Sequence, residues 1–176
     1  MKHYLESMQI YLIRHAIAEE REEWSGSDEL RPLTAKGYAK MQEATKGLMK
    51  LAPEFDLMLT SNLVRAKQTS ALICDLYRCK FSDKVRVTPA LNPSSPQEVL
   101  QKEIASLAIK SSLFVVGHEP YLSTLAANLI GSSGGAILLK KGGVACLKLV
   151  SLQPELSAEL CWLATPKMLK MIASAK

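Results

Sequence analysis

The chain has 176 residues, of which 48% are hydrophobic and 22% charged, a composition typical of one globular domain. Its net charge of +5 comes from basic residues spread along the chain, and only 6% of the residues are aromatic, which excludes the basic, aromatic-rich block of a nucleic-acid-binding protein. No apolar window is long enough to span a membrane, and the four cysteines form no CxxC pair. We therefore expect a cytoplasmic protein that binds neither nucleic acid nor membranes.

The first half of the chain alternates short apolar runs with helical patterns. Gln9 to Ile13 reads as a buried strand and Ala16 to Leu30 as a loop. A helix is predicted from Ala35 to Leu51 with Thr34 as its N-cap, and Asp56 to Thr60 is the second strand. These units predict a domain spanning residues 8–176, with residues 1–7 as a dispensable extension.

The same alternation continues through the middle of the chain. Ser61 is predicted to cap a helix running to Tyr77, and Val85 to Val87 is a short strand. Ser95 is predicted to cap a helix from Pro96 to Lys110. Leu113 to Val116 is then predicted to be a strand, followed by a helix from Tyr121 to Ile130.

The pattern changes after residue 135. Ala136 to Leu139 and Val144 to Leu152 are predicted to be strands joined by a hairpin at Lys141-Gly142-Gly143. Ser157 to Leu163 is a last strand, and Pro166 to Ala173 a terminal helix. Repeated strand-helix units predict a three-layer α/β/α sandwich, whose mostly parallel sheet gains antiparallel edge strands from the late hairpin.

Residues suited to phosphate chemistry follow three of the predicted strands. His15, Ser61 and His118 come directly after apolar runs, where parallel strands of such sheets bind ligands. Arg14 precedes His15, and Arg65 lies in the first turns of the helix after Ser61, where an anion is already favoured. Arginine forks match phosphate oxygens, so these groups predict a phosphate site.

Four motifs extend the pattern over most of the chain. In chain order they are Arg14-His15-Ala16, Arg31-Pro32-Leu33-Thr34-Ala35-Lys36-Gly37, Ser61-Asn62-Leu63-Val64-Arg65-Ala66-Lys67-Gln68-Thr69 and Gly117-His118-Glu119-Pro120. This series resembles the histidine phosphatase superfamily, the phosphoglycerate-mutase-like enzymes. The short length and the Arg-Pro-Leu-Thr segment look most like its SixA-type phosphohistidine phosphatases.

The resemblance implies a metal-free phosphatase without a cofactor. His15 would be the nucleophile that takes the phosphoryl group, and Arg14, Arg65 and His118 would bind the phosphate and stabilise its charge. Arg31 is similar to an arginine near the same pocket. We also count Ser61 and Asp28 among the candidate substrate-binding residues.

Two departures from the family pattern concern the backbone and the proton donor. Ala16 stands where the family usually has glycine, so the backbone there must accept a Cβ atom. The glutamate that protonates the leaving oxygen in larger members is missing, because that region reads Pro89-Ala90-Leu91-Asn92-Pro93. Asp28 or Glu29 could supply a proton instead, and a phosphohistidine substrate would need the acid less, because imidazole is a better leaving group than an alkoxide.

Three functions remain open at this point. The first is a phosphatase acting on a histidine phosphotransfer domain or another phosphorylated protein. The second is a phosphomonoesterase acting on a small phosphorylated substrate such as a sugar or nucleotide phosphate. The third is a phosphate-binding module without activity, although such a module would not need His15. Short loops at Ala16 to Leu30 and Pro89 to Ser95 predict a shallow, open pocket, which favours a protein-borne substrate.

Overall fold

One six-stranded sheet organises the part of the chain that the structure describes. The computed structural model describes residues 8–107, 111–132, 135, 137–152 and 155–175, so the predicted extension at residues 1–7 lies outside the described residues. The strands of the described part are β1 (Gln9–Arg14), β2 (Leu57–Thr60), β3 (Val85–Val87), β4 (Ser112–Gly117), β5 (Val144–Ser151) and β6 (Ser157–Ala164). Their spatial order is β3-β2-β4-β1-β5-β6. Strands β1 to β4 are parallel, whereas β5 and β6 are antiparallel, as predicted.

Helices cover both faces of this sheet, which gives the predicted three layers. The helices are α1 (Ala35–Leu51), α2 (Val64–Leu76), α3 (Phe81–Lys84), α4 (Gln97–Ser106), α5 (Tyr121–Leu129) and α6 (Pro166–Ser174). Because side chains alternate along a strand, Ile10 and Leu12 of β1 pack under α4 and α5, while Tyr11 and Ile13 pack under α1, α2 and α6. None of the described helices is long and apolar enough to cross a bilayer.

Several predicted boundaries are confirmed because local signals fix them. Helix α1 begins and ends where its pattern predicts, and the Thr34 hydroxyl accepts a hydrogen bond from the Gly37 amide at 2.9 Å. The Thr34 backbone amide donates to the Ile17 carbonyl, and Ala18 forms an isolated bridge with Leu33. The loop after β1 is therefore tied to the start of α1.

Two predicted helix caps are wrong. Helix α2 begins at Val64 with Leu63 as its N-cap, because the Ser61 amide donates to Val116 and extends the edge of the sheet. Helix α4 begins at Gln97 with Pro96 as its N-cap, because the Ser95 hydroxyl donates to the Pro89 carbonyl and closes the preceding loop. It ends at Ser106, and the predicted continuation to Lys110 runs into residues 108–110, which lie outside the described residues.

The strand predicted from Ala136 to Leu139 is also wrong over its described residues. Ala136 itself lies outside them, and residues 137–140 form no strand. The Leu139 carbonyl accepts from the Arg14 side chain, and the Gly142 amide donates to the Arg14 and His15 carbonyls. The turn at Gly142, with φ of +76°, therefore wraps this segment around the end of β1.

The crossing of α1 and α6 depends on one glycine. A Cβ atom added at Gly47 would lie 1.9 Å from the Leu169 carbonyl oxygen, well inside van der Waals contact. The backbones of these two helices can therefore approach closely only because position 47 has no side chain.

We expect Gly47→Ala to destabilise the protein by about 1 to 3 kcal/mol, because relieving this overlap must move α6. The effect opposes helix propensity, which favours alanine over glycine by about 1 kcal/mol. Urea unfolding would measure it, with Lys40→Ala on an exposed position of α1 as the control. An unchanged or raised free energy of unfolding for Gly47→Ala would show that the helices are not in this contact.

Candidate active site

The register of β1 against β4 brings the two histidines together. Arg14 pairs with Gly117 across the two parallel strands, and the His15 amide donates to the Gly117 carbonyl at 3.0 Å. The residue that follows each strand is a histidine, His15 after β1 and His118 after β4. The centroids of the two imidazole rings are 5.0 Å apart. The two predicted strand ends therefore form one site.

His15 has one ring nitrogen fixed and the other available. Its Nδ1 lies 2.7 Å from the Ala16 carbonyl oxygen, which can only accept a hydrogen bond. Nδ1 therefore carries the proton, and the lone pair of the neutral ring is on Nε2. Burial lowers the pKa of His15 well below its usual value, and the neighbouring His118 lowers it further, so the ring is neutral at physiological pH. A neutral imidazole with a free Nε2 is a nucleophile.

His118 is held by Ser61. Its Nε2 lies 2.9 Å from the Ser61 oxygen, which accepts a hydrogen bond from the Leu63 amide. When the Ser61 O–H donates to Nε2, the proton of the neutral ring is on Nδ1. Burial and the charge of Arg65 lower the pKa of His118 to about 3. Both imidazoles are therefore neutral, and this serine is part of the site although it does not cap α2.

A half-buried arginine, Arg14, and a buried one, Arg65, lie close to these histidines. Arg14 donates through Nη1 to the Leu139 carbonyl at 2.9 Å. Arg65, which is 4% exposed, donates through Nη1 to the Asp28 carbonyl and through Nη2 to the Asp28 carboxylate. The charges of both arginines lower the pKa of His15 and of His118, as expected for cations close to both rings.

Three polar atoms of these residues are buried and have no hydrogen-bond partner among the residues that the structure describes: Arg14 Nε, Arg65 Nε and His118 Nδ1. A buried polar group left unpaired costs about 1 to 3 kcal/mol, so native proteins seldom keep several together without a ligand to satisfy them. Two of the three atoms are guanidinium donors, which suit the oxygens of an anion. Donors of this kind can bind the oxygens of an anion at this edge of the sheet.

Asp28 lies at the entrance between several arginines. One carboxylate oxygen accepts from Arg31 at 2.9 Å and pairs with Arg21 at 2.7 Å, and the other pairs with Arg65 at 3.0 Å. Partial burial acts to raise the pKa of Asp28, but the hydrogen bonds from Arg31 and Arg21 and the charge of Arg65 outweigh it and hold the pKa at about 2. This carboxylate is ionised at neutral pH.

Comparison with known proteins agrees with this geometry. A family model described as the histidine phosphatase superfamily, branch 1, matches residues 10–92. An uncharacterized protein of Picosynechococcus sp. is 32% identical over 167 residues, which cover 92% of this chain and 99% of that protein. The chain belongs to the histidine phosphatase superfamily.

Solved structures confirm the phosphoglycerate-mutase-like fold. A complex of the protein histidine phosphatase SixA with tungstate superposes with a TM-score of 0.78 at 23% identity, covering 91% of this chain and 98% of that one. A mycobacterial glucosyl-3-phosphoglycerate phosphatase gives a TM-score of 0.70 at 15% identity, with 90% and 99% covered. The α-ribazole phosphatase of Shigella flexneri gives 0.66 at 20% identity, with 90% and 97% covered.

The seven residues predicted for this histidine phosphatase site lie in one contiguous network. Arg14 and His15 end β1, Arg65 lies in the first turn of α2, and His118 contacts Ser61. Arg31 and Asp28 contact each other rather than the histidines, and Arg31 Nη1 donates to the Glu19 carbonyl at 2.6 Å. The roles given to these residues in catalysis and substrate binding remain predictions, as does independence of metal.

The site accepts alanine at position 16, and both of its histidines are buried. Among the described residues, Arg78 is the only non-glycine residue with positive φ, so the Ala16 backbone is unstrained. The Ala16 amide donates to the Thr69 hydroxyl of α2 at 3.1 Å. His15 is 6% exposed and His118 is 3% exposed, so the floor of the site is buried.

Sequence reasoning missed the contributions of Leu139, Thr69 and Glu119. The Leu139 carbonyl holds the Arg14 side chain, and no motif marks Leu139. The Thr69 hydroxyl holds the Ala16 amide, and Thr69 ends the third motif, although no role was assigned to it. Glu119 follows His118, and its charge raises the pKa of Arg14 against the larger effect of burial. Its carboxylate accepts from the Ser123 hydroxyl. Its place beside a strand-end histidine was the available signal.

Because both histidines are neutral in the folded protein, we expect its free energy of unfolding to fall in weak acid. The unfolded chain protonates histidine below about pH 6.5, whereas the folded protein keeps His118 neutral down to pH about 3. Below about pH 6.5 the unfolded state therefore binds more protons than the folded state. The free energy of unfolding is highest above the histidine pKa of the unfolded chain and falls as the pH drops toward the histidine pKa of the folded protein. Each histidine contributes a slope of up to about 1.4 kcal/mol per pH unit.

Urea unfolding between pH 7 and 5 would measure this slope before most carboxylates titrate. His118→Gln removes one of the two neutral imidazoles, so we expect a slope that is lower by up to about 1.4 kcal/mol per pH unit. An identical slope in wild type and variant would mean that His118 is not held neutral by the fold.

Proposed function

We propose that this protein is a phosphohistidine phosphatase that acts on a phosphorylated protein. The phosphoryl group is first transferred to His15, which forms a covalent intermediate. The observation that carries the proposal is a set of buried atoms of Arg14, Arg65 and His118 that have no partner among the described residues. They belong to the same sheet edge as His15, which has its Nδ1 proton on the Ala16 carbonyl and its lone pair on Nε2. This arrangement offers a nucleophile and anion-binding donors in one enclosed place. Phosphoryl transfer needs mainly such positioning and electrostatic stabilisation.

The reaction divides into two transfers. In the first, His15 Nε2 forms a bond to phosphorus as the bond from phosphorus to the substrate imidazole breaks, and the imidazole leaves with a proton. In the second, water attacks the phosphorus, the bond to His15 breaks, and inorganic phosphate is released. The sum converts phosphohistidine and water into histidine and phosphate, and each half has a lower barrier than direct hydrolysis.

The roles of the arginines and His118 follow from their fixed geometry. The Leu139 carbonyl holds Arg14 through Nη1, and Asp28 holds Arg65 through Nη1 and Nη2, so the Nε–H of each arginine can donate to a phosphoryl oxygen. Donors fixed in advance need no reorganisation when charge shifts in the transition state, which is where they accelerate the reaction. His118 Nδ1 would complete the set from the β4 side.

The choice of a phosphohistidine substrate rests on the missing acid. Asn92 approaches Ser61 at 3.5 Å, which brings the segment from Pro89 to Pro93 to the site without a carboxyl group. Asp28 has a pKa held at about 2, so it has no proton to give at neutral pH. An imidazole that is already protonated leaves without a catalytic acid, whereas an alkoxide needs one. The likeness of the fold to SixA supports the same choice.

A small-molecule phosphomonoesterase is the second candidate. It is supported by the similar folds of a glucosyl-3-phosphoglycerate phosphatase and an α-ribazole phosphatase. Such an enzyme would have to protonate an alkoxide, and neither Asp28 nor the segment from Pro89 to Pro93 supplies the proton. A phosphohistidine phosphatase in signal transduction is therefore the function that the site supports best.

The proposal predicts an acid-labile, alkali-stable phosphoenzyme when the protein reacts with a phosphorylated histidine phosphotransfer domain. His15→Ala should lose this species and slow phosphate release by more than about 10³-fold, because the nucleophile is gone. His118→Gln is the matched control, since it should slow the reaction and still leave phosphate on His15.

Rates on a panel of sugar, nucleotide and aryl phosphates separate the two candidates. A kcat/KM higher for the phosphorylated domain than for every ester supports the first candidate, and the reverse order supports the phosphomonoesterase. Full activity of His15→Ala would contradict the covalent mechanism. Phosphate binding without turnover of any substrate would identify a phosphate-binding module.

A further inference from the structure

Asp28 makes more contacts with arginines than any other carboxylate among the described ion pairs. Its carboxylate pairs with Arg21, Arg31 and Arg65, and its backbone carbonyl accepts from Arg65 Nη1 at 2.7 Å. Of these three arginines, Arg65 is the one predicted to stabilise the charge of the phosphoryl group, and Arg31 is predicted to lie near the same pocket. A carboxylate beside a phosphate site would ordinarily repel the ligand, because both are negatively charged.

Asp28 could act in two opposite ways. As a competing anion, it would occupy the arginine and have to leave before phosphate binds. As a positioning residue, it would stay in place and orient the guanidinium for phosphate. The contacts on each nitrogen of Arg65 distinguish these possibilities.

Asp28 accepts hydrogen bonds from the two terminal nitrogens of Arg65 and makes none with its third nitrogen, Nε. Nη1 donates to the Asp28 carbonyl and Nη2 to its carboxylate, whereas Nε is buried and has no partner among the described residues. Phosphate can therefore take the Nε–H without displacing Asp28. At Arg14, Nη1 is held by the Leu139 carbonyl, and Nε likewise has no described partner.

The surroundings of Asp28 make it a rigid support. It begins a short 3₁₀ turn at Asp28–Leu30, which Ser27 caps through a hydrogen bond from the Glu29 amide. Arg31 holds the carboxylate and is itself anchored on the Glu19 carbonyl. One carboxylate among several guanidinium groups also leaves the cluster positively charged, so an anion is still attracted.

We propose that Asp28 is a positioning residue that orients Arg65 for the phosphoryl group and stays paired with it while phosphate is bound. This inference rests on the proposed function of the site as a phosphatase. In this role, Asp28 neither donates a proton nor contacts the substrate directly. It also gives Arg31 the role of holding Asp28.

The test compares Asp28→Asn with Glu22→Gln, which makes the same change of charge at an exposed residue of the same loop. If Asp28 positions Arg65, Asp28→Asn should weaken binding of inorganic phosphate and lower kcat/KM by about 10- to 100-fold, the size of effect expected from a small misplacement of a catalytic group. Glu22→Gln should change either value less than about 2-fold. Tighter phosphate binding by Asp28→Asn, or equal values for both variants, would overturn the proposal.

A double-mutant cycle shows whether Asp28 acts through Arg65. Arg65→Lys keeps the charge and removes the planar fork, so adding Asp28→Asn to it should change phosphate affinity less than about 2-fold. Additive losses would indicate a general structural role and contradict positioning. Thermal melting of each variant would reveal any loss of fold.

The wild-type protein offers a measurement that does not depend on how the variants fold. In a ¹⁵N NMR titration with inorganic phosphate, the Arg65 Nε–H signal should shift, while its Nη contacts to Asp28 persist. Loss of those contacts on binding would identify Asp28 as a competing anion instead. A wild type that binds no phosphate would overturn the proposed function along with this inference, whereas normal binding with an unaffected Asp28→Asn overturns the inference alone.

Discussion

The pairing of β1 with β4 is the constraint on which the rest of the site depends. Both strands are parallel and buried on both faces, so their register cannot slip without turning core side chains toward the wrong layer. That register sets Arg14 beside Gly117, and the next residue of each strand is a histidine. Since β2 pairs with the other side of β4, Ser61 reaches the same edge and contacts His118. Three strand ends thus define the floor of the site.

The arginines around this floor are held by groups outside the sheet. The segment at Leu139 to Gly143 wraps Arg14, and the turn at Asp28 wraps Arg65. Asp28 binds both terminal nitrogens of Arg65, the Leu139 carbonyl binds Nη1 of Arg14, and Nε of each arginine has no described partner. Fixed donors in a buried setting interact with a phosphoryl group more strongly than mobile ones exposed to water, because the dielectric is lower and no reorganisation is required. Burial also keeps both histidines neutral, as a nucleophilic imidazole requires.

Much of this arrangement could be predicted from the sequence because it depends on local patterns. Short apolar runs mark the strands, and the residue after each run lies at the ligand-binding edge of a parallel sheet. The caps at Ser61 and Ser95 were mispredicted because each serine makes a tertiary or loop contact that competes with the helix end. The contacts of Arg65 with Asp28, 37 residues away, depend on the path of a loop that no periodicity describes. The sequence could therefore identify the reacting groups more readily than the groups that support them.

The central claim is that His15 takes the phosphoryl group on Nε2, because its Nδ1 proton is committed to the Ala16 carbonyl. The most direct measurement is ³¹P and ¹⁵N NMR of the trapped phosphoenzyme, which distinguishes the two ring positions. The structure predicts one phosphohistidine, at Nε2 of His15. Phosphate on Nδ1, on His118 or on a residue other than histidine would contradict the account.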